Sequence, residues 1–174
     1  MNGNLFNKLC QVKTLLQAWK LVKQKGTAGG IDGKTIADID ADIGNCIRQL
    51  QQELVLREWN PEPYLRISIP KKNNERRQLG LLSIKDKIVQ QAIKQLIEPR
   101  FEKVFVKNSF GYRPDKGHTR AIKFARSCFQ NKKYPFILKL DIDNYFDTIN
   151  HDILFKRLQS NIVTLKFRGN GGIL

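Results

Sequence analysis

Residues 136–142 (FILKLDI) set the hardest constraint on this chain. So short and nearly continuous an apolar run reads as a buried strand, which would need other elements to cover it. Asp141 stands at its end and Asp143 follows two residues later. The aromatic pair Tyr145 and Phe146 comes next, and Asn150 then caps a predicted helix over 151–158.

The elements available to cover such a strand are mostly helical. Leu5, Leu9, Val12, Leu15, Leu16, Trp19 and Val22 recur at helical spacing, so 5–24 predicts an amphipathic helix or helix pair. GTAGGIDG (26–33) breaks it, since four glycines in eight residues demand loop geometry. That loop has neither a preceding strand nor a Walker lysine at the required spacing, so it reads as a plain turn rather than a phosphate cradle. Helical periodicity returns over 36–58 through Ile39, Ile43, Ile47, Leu50 and Leu54, and ends at Asn60-Pro61-Glu62-Pro63. Residues 64–70 and 78–83 read as two strands of a β-hairpin whose tip, 71–77 (KKNNERR), is cationic. The strongest helix signal covers 85–105, with Pro99 bending or breaking it. A glycine- and proline-containing loop (109–118) precedes a last long helix over 119–131, with Ala121, Ile122, Ala125, Cys128 and Phe129 expected inward.

Charge bounds the partner class. The 174 residues carry 31 Lys and Arg against 16 Asp and Glu, a formal net charge of +15. Basic residues spread this widely suit a polyanion, nucleic acid above all, although solubility alone would also account for them. Cys10, Cys46 and Cys128 are odd in number and lack metal-ligand spacing, so they read as buried, reduced thiols of a soluble cytoplasmic protein. No apolar run approaches the ~20 residues that span a bilayer, and no membrane partner is expected.

Three groups of residues are chemically suggestive. On a strand, Asp141 and Asp143 share a face and could hold magnesium, which needs only one or two carboxylates plus substrate phosphates. They read equally as solvated strand-end residues, the usual place of aspartate. Lys71, Lys72, Arg76 and Arg77 could close on a triphosphate, clamp a nucleic-acid backbone, or form an ordinary solvated turn. Arg113 and His118 flank the 109–118 loop, where a lone histidine is more often a structural partner than a catalyst. Trp19 and Trp59 read as core, which leaves Tyr112, among glycines and basic residues, as the better stacking candidate.

The order of these pieces resembles the N-terminal half of a group II intron-type reverse transcriptase, a type also found among bacterial reverse transcriptases linked to CRISPR systems. AWKLVKQKGTAGGIDG (18–33) is similar to that family's N-terminal extension motif. IPKKNNERRQLGLLSIKDKIVQQAIKQLIEPRFE (69–102) resembles the first fingers motif and FVKNSFGYRPDKGHTRAI (105–122) the second. LKLDIDNYFDTINHDIL (138–154) resembles the motif that opens the palm. The resemblance runs over roughly residues 5–158 in unbroken order.

It implies an α+β chain, an incomplete right-hand polymerase that is helix-rich with a β-hairpin. Residues 1–35 would be the N-terminal extension, 36–134 the fingers, 135–160 the start of the palm and 161–174 an unmatched tail left by truncation or frameshift. Asp141 matches the first catalytic aspartate, a ligand to two magnesium ions, and the backbone carbonyl of Ile142 a further ligand. Phe146 matches the steric gate that crowds a ribose 2′-hydroxyl. Lys71 and Arg77 match the residues holding the triphosphate, with Lys72 as the alternative to Lys71. Asp143 stands where many members carry lysine and receives no catalytic role. The implied partners are an RNA template, a DNA primer, deoxynucleotides and structured intron RNA.

The family's next blocks, a glutamine- and glycine-containing loop and a YADD-like turn, are not found in the sequence. The expectation is therefore a chain inactive alone, which would need the remaining palm and thumb from another chain. A maturase-like RNA-binding fragment and a decayed mobile-element remnant stand as the alternatives.

Overall fold

The computed structural model describes residues 5–70, 76–130 and 136–162. These fall into two units, one within 5–98 and one within 99–162. Among the described residues the protein is helical, with one two-stranded antiparallel hairpin. No described helix is long and apolar enough to cross a membrane.

The first unit is built on three apolar stripes. The 5–24 segment forms a helix pair, α1 (Leu5–Leu9) and α2 (Val12–Gln24). Leu15, Ala18, Trp19 and Val22 of α2 are buried at the i, i+3, i+4, i+7 spacing of one helix face. The continuous helix expected over 36–58 is two helices, α3 (Ile36–Ala41) and α4 (Ile43–Leu56). The break is at Asp42, whose φ of −134° and ψ of 38° are not helical. Its carboxylate accepts from the Asn45 side chain at 2.7 Å, a contact between side chains that leaves the first amides of α4 without a side-chain cap. A capping box opens α3: Asp38 N–H donates to the Thr35 hydroxyl, and Thr35 N–H donates to the Asp38 carboxylate at 2.8 Å. Arg57, left-handed at φ 61°, closes α4.

Cys46, Ile47, Leu50 and Leu54 of α4 meet the α2 stripe and Ile84, Ile88, Val89 and Ala92 of α5 (Ile84–Phe101) in one core. Each fully buried Leu or Ile contributes about 1.5–3 kcal/mol. Trp19 is buried and Trp59 packs partly buried against the same cluster, so both are core residues as their composition suggested. Cys10 and Cys46 are buried thiols, and burial pushes both pKa values up, which keeps them protonated and unreactive. Cys128 departs from the expectation in being only partly buried.

The hairpin pairs β1 (Leu65–Pro70) with β2 (Arg76–Leu81), with Leu65 opposite Leu81 and Ile69 opposite Arg77. Its strands are largely exposed. Just after β2, Ser83 and Asp86 cap α5. The Ser83 hydroxyl donates to the buried Asp86 carboxylate at 2.8 Å and accepts from Asp86 N–H at 3.1 Å. Asp86 also accepts from Glu62 N–H at 3.0 Å, tying the proline-rich connection to α5.

The glycine loop is pinned at the same place. A Cβ on Gly30 would lie 2.4 Å from the Ser83 amide nitrogen, and the Lys87 ammonium donates to the Ala28 carbonyl. The loop is thus a structural turn whose glycine lets two backbone segments touch. Gly30→Ala is expected to cost about 2 kcal/mol, because the obstructing atoms are backbone and cannot swing away. Urea denaturation followed by Trp19 and Trp59 fluorescence reads this, and an unchanged midpoint would refute the contact.

The second unit holds α6 (Gly117–Gln130), α7 (Tyr145–Thr148) and α8 (His151–Asn161). Asn150 caps α8 as the sequence predicts, accepting from Ile153 N–H at 3.1 Å. Two expectations fail in this unit. No residue of α6 is buried, and its predicted inward residues Ile122 and Phe129 are each 55% exposed. The buried strand at 136–142 is not formed: Phe136 is 89% and Leu138 81% exposed. The physical reason is common to both. Periodicity and apolarity identify a face or run able to be buried, whereas a strand also needs a hydrogen-bonding neighbour. Among the described residues the only ladder is β1 with β2.

Candidate functional site

Residues 141–146 form a compact turn into a helix. Asp141 is exposed, and its Oδ1 accepts from the adjacent Ile142 N–H at 3.0 Å. Asp143 and Asn144 make the turn, with Asn144 left-handed at φ 47°, a conformation that asparagine tolerates well. Since 136–142 is not a strand, period-two alternation does not set the relation of Asp141 to Asp143, which corrects the shared-face reading. The turn throws Tyr145 and Phe146 to the start of α7, their rings edge to face at 5.5 Å. Phe146 is 80% exposed, so its ring is open to a ligand instead of serving the core.

The other predicted residues lie elsewhere. Arg77 belongs to the first unit and is exposed on β2, opposite Ile69. It and Arg76 are strand residues, not members of the turn as the sequence suggested. Arg76 donates through Nε to the Ser68 hydroxyl at 2.8 Å, a cross-strand bond that stiffens the hairpin. Lys71 and Lys72 lie outside the described residues.

The described residues do not make a metal site on their own. No group of three or more His, Cys, Asp or Glu converges among them. Asp141 offers one exposed carboxylate, and a magnesium pair bound through it would need further carboxylates and substrate phosphates to complete its coordination.

Sequence reasoning missed the best-organised polar cluster of the second unit. Arg113 has a side chain only 7% exposed, and each of its five N–H groups has an acceptor. Nε and Nη2 donate to the Glu102 carboxylate at 3.0 and 2.9 Å, a bidentate fork. Nη1 donates to the Val106 and Ser109 carbonyls at 2.8 and 2.9 Å, and Nη2 to the Glu102 carbonyl at 3.4 Å. The guanidinium also sits 5.2 Å from the Phe105 ring centroid. Lys116 adds a bond to the Lys107 carbonyl at 2.7 Å. Arginine beside a glycine and a proline in a loop was the available signal, but nothing in the sequence pointed to Glu102 as its partner.

A groove of ≈ 350 Å³ in the first unit is lined by Val22, Lys25, Thr27, Lys87, Gln90, Gln91 and Lys94. Desolvation there lowers the pKa of Lys87. The groove contains none of the predicted site residues.

Comparison with known proteins joins these observations. Residues 69–170 match the family described as reverse transcriptase (RNA-dependent DNA polymerase). The chain is 29% identical to protein YkfC of Escherichia coli over 94% of its own length and 44% of that protein's. It is 28% identical to a protein of COX1/OXI3 intron 1 from Saccharomyces cerevisiae, over 93% of this chain and 19% of that one. Group II intron-encoded protein LtrA of Lactococcus lactis is 31% identical over 79% of this chain and 23% of its own length. The chain thus spans less than half the length of each of these relatives.

Proposed function

Since this chain belongs to the reverse transcriptase (RNA-dependent DNA polymerase) family, and to its group II intron type, we propose that it supplies the N-terminal extension, fingers and opening palm segment of an RNA-directed DNA polymerase. The observation that carries the proposal is the match over 69–170, which takes in Arg77, Asp141, Ile142 and Phe146 in order on one chain. In this reading residues 1–35 are the extension, 36–134 the fingers and 135–160 the start of the palm of a right-hand fold.

Each residue has a task in the proposed reaction. Magnesium ions bound at the completed site would supply the electrophilic activation of the triphosphate. Asp141 and the Ile142 carbonyl are the ligands this chain would contribute. Arg77, with Lys71, holds the triphosphate: a guanidinium makes paired hydrogen bonds to phosphate oxygens, while an ammonium acts as a point charge. Phe146 presents a ring edge against the sugar, so that a deoxyribose fits and a 2′-hydroxyl clashes. The template is RNA and the primer DNA, and the net charge of +15 supports engagement of both.

Primer extension tests the reading. The chain alone, with magnesium, an RNA template, a DNA primer and deoxynucleotides, is expected to give no extension. Joined to the palm and thumb of a relative, it is expected to extend the primer. There, Phe146→Ala should raise ribonucleotide incorporation by about 10- to 100-fold, the size of a relieved steric clash. Robust extension by the chain alone, or unaltered sugar selection in the variant, would contradict the assignment.

A further inference from the structure

We infer that Tyr112 is a stacking platform for an unpaired RNA base, held out by a loop built to present it. This rests on the reading of the chain as a polymerase segment that engages RNA. Tyr112 is fully exposed, at 100% of its accessible surface, and its backbone is left-handed at φ 55°. Turn chemistry does not call for a tyrosine there. A position needing positive φ selects glycine, asparagine or aspartate, and a bulky ring gains nothing from the conformation. Gly111 stands immediately before it, so the chain has a turn residue at hand and still places an aromatic ring in solvent.

The rest of the loop holds that ring's base firmly. The next residue, Arg113, anchors the loop from beneath through Glu102 and the carbonyls of Val106 and Ser109. Lys116 closes the far side, donating to the Lys107 carbonyl at 2.7 Å and lying 5.9 Å from the Phe110 ring centroid. Phe110 in turn packs against Phe124 of α6 at 5.7 Å. A tyrosine on such a frame loses few degrees of freedom on binding, which is what makes pre-organised aromatic rings good contact residues.

Charge identifies the ligand. Arg113 and Lys116 are engaged within the loop, while Lys107 and Arg120 are exposed close by in the sequence. An exposed aromatic ring in a segment that also carries exposed cations suits a base attached to its phosphates. It does not suit duplex RNA, whose bases are stacked on one another and offer no free face.

Fluorescence anisotropy with a short labelled oligouridylate, alone and annealed to oligoadenylate, tests this on the intact chain. Tyr112→Ala is expected to weaken single-strand binding ~10-fold, the loss of one base–aromatic stack, and to leave duplex binding unchanged. Tyr112→Phe, which keeps the ring, should bind the single strand as the wild type does. Wild-type affinity should fall steeply with salt. Tyr112→Ala should keep that salt slope, whereas Lys107→Gln and Arg120→Gln should each lower it by about one. Wild-type affinity in Tyr112→Ala, or equal losses on single strand and duplex, would overturn the stacking role alone. A wild-type chain that binds neither RNA would overturn the RNA-engaging reading with it.

Discussion

Asp141→Ala is expected to abolish primer extension by a polymerase assembled from this chain and the palm and thumb of a relative. Removing the carboxylate takes away the acidic ligand that the proposal assigns to this chain, while Asp143 in the turn before α7 has no catalytic role in it. Catalysis of phosphoryl transfer depends above all on electrostatic stabilisation of the transferring group, and losing one of its anchors costs about 10²–10³-fold or more in rate. Asp141→Asn keeps the shape and an oxygen that can accept from Ile142 N–H, but not the charge, so it should be nearly as damaging. Asp143→Ala, by contrast, should leave the rate within about tenfold of wild type, a loss of no more than about 1.4 kcal/mol of barrier stabilisation. Single-turnover extension with saturating magnesium separates these outcomes. Retained activity in Asp141→Ala together with loss in Asp143→Ala would show that the wrong aspartate has been assigned.

The role proposed for Asp141 rests only on the order of its surroundings. As a lone aspartate after an apolar run it is ordinary; as part of the fourth block in an ordered series it has a place. The helices of the first unit were legible for a different reason. Leu15, Trp19 and Val22, or Ile47, Leu50 and Leu54, sit at spacings that only a helix brings to one side, and helical partners within the same unit cover them. The break at Asp42 was hidden because the apolar spacing continues across it: Ile39 and Ile43 remain in phase while the backbone leaves the helix. FILKLDI and the α6 stripe were misread in the same way. Their composition states what could be buried, and coverage is a property of neighbours, which a local pattern does not contain. Glu102 and Arg113 lie eleven residues apart across an irregular loop, outside the three- and four-residue neighbours that a helix pairs, so no local rule could have joined them.

That pair carries the largest stability effect expected of a single substitution in the second unit. Arg113→Ala removes a nearly buried guanidinium with five N–H donors engaged, takes the Nη1 bonds from the Val106 and Ser109 carbonyls, and leaves Val106 only its bond from Ser109 N–H. The loss is expected to be about 3 kcal/mol, several hydrogen bonds to a charged group offset in part by hydration of the freed carbonyls. Arg113→Lys should recover little, since an ammonium cannot reproduce the planar fork. The same bond fixes a pH dependence. The Arg113 hydrogen bond holds the Glu102 carboxyl below its ordinary value of 4.5; desolvation pushes up less strongly than that bond pulls down, and the charges of Arg113 and Lys116 add smaller downward pulls. A depressed carboxylate contributes stability that is fully present above 4.5 and is lost as pH falls through the lower folded-state value. Amide hydrogen exchange reads both effects. Protection over 102–116 should drop in Arg113→Ala at neutral pH while α2 and α4 keep theirs. In the wild type that protection should decline only below 4.5, and in Glu102→Gln the decline should vanish. Equal protection in Arg113→Ala and wild type would mean that the loop is held by Phe110, Phe124 and Lys116 alone, and that the buried arginine is a passenger.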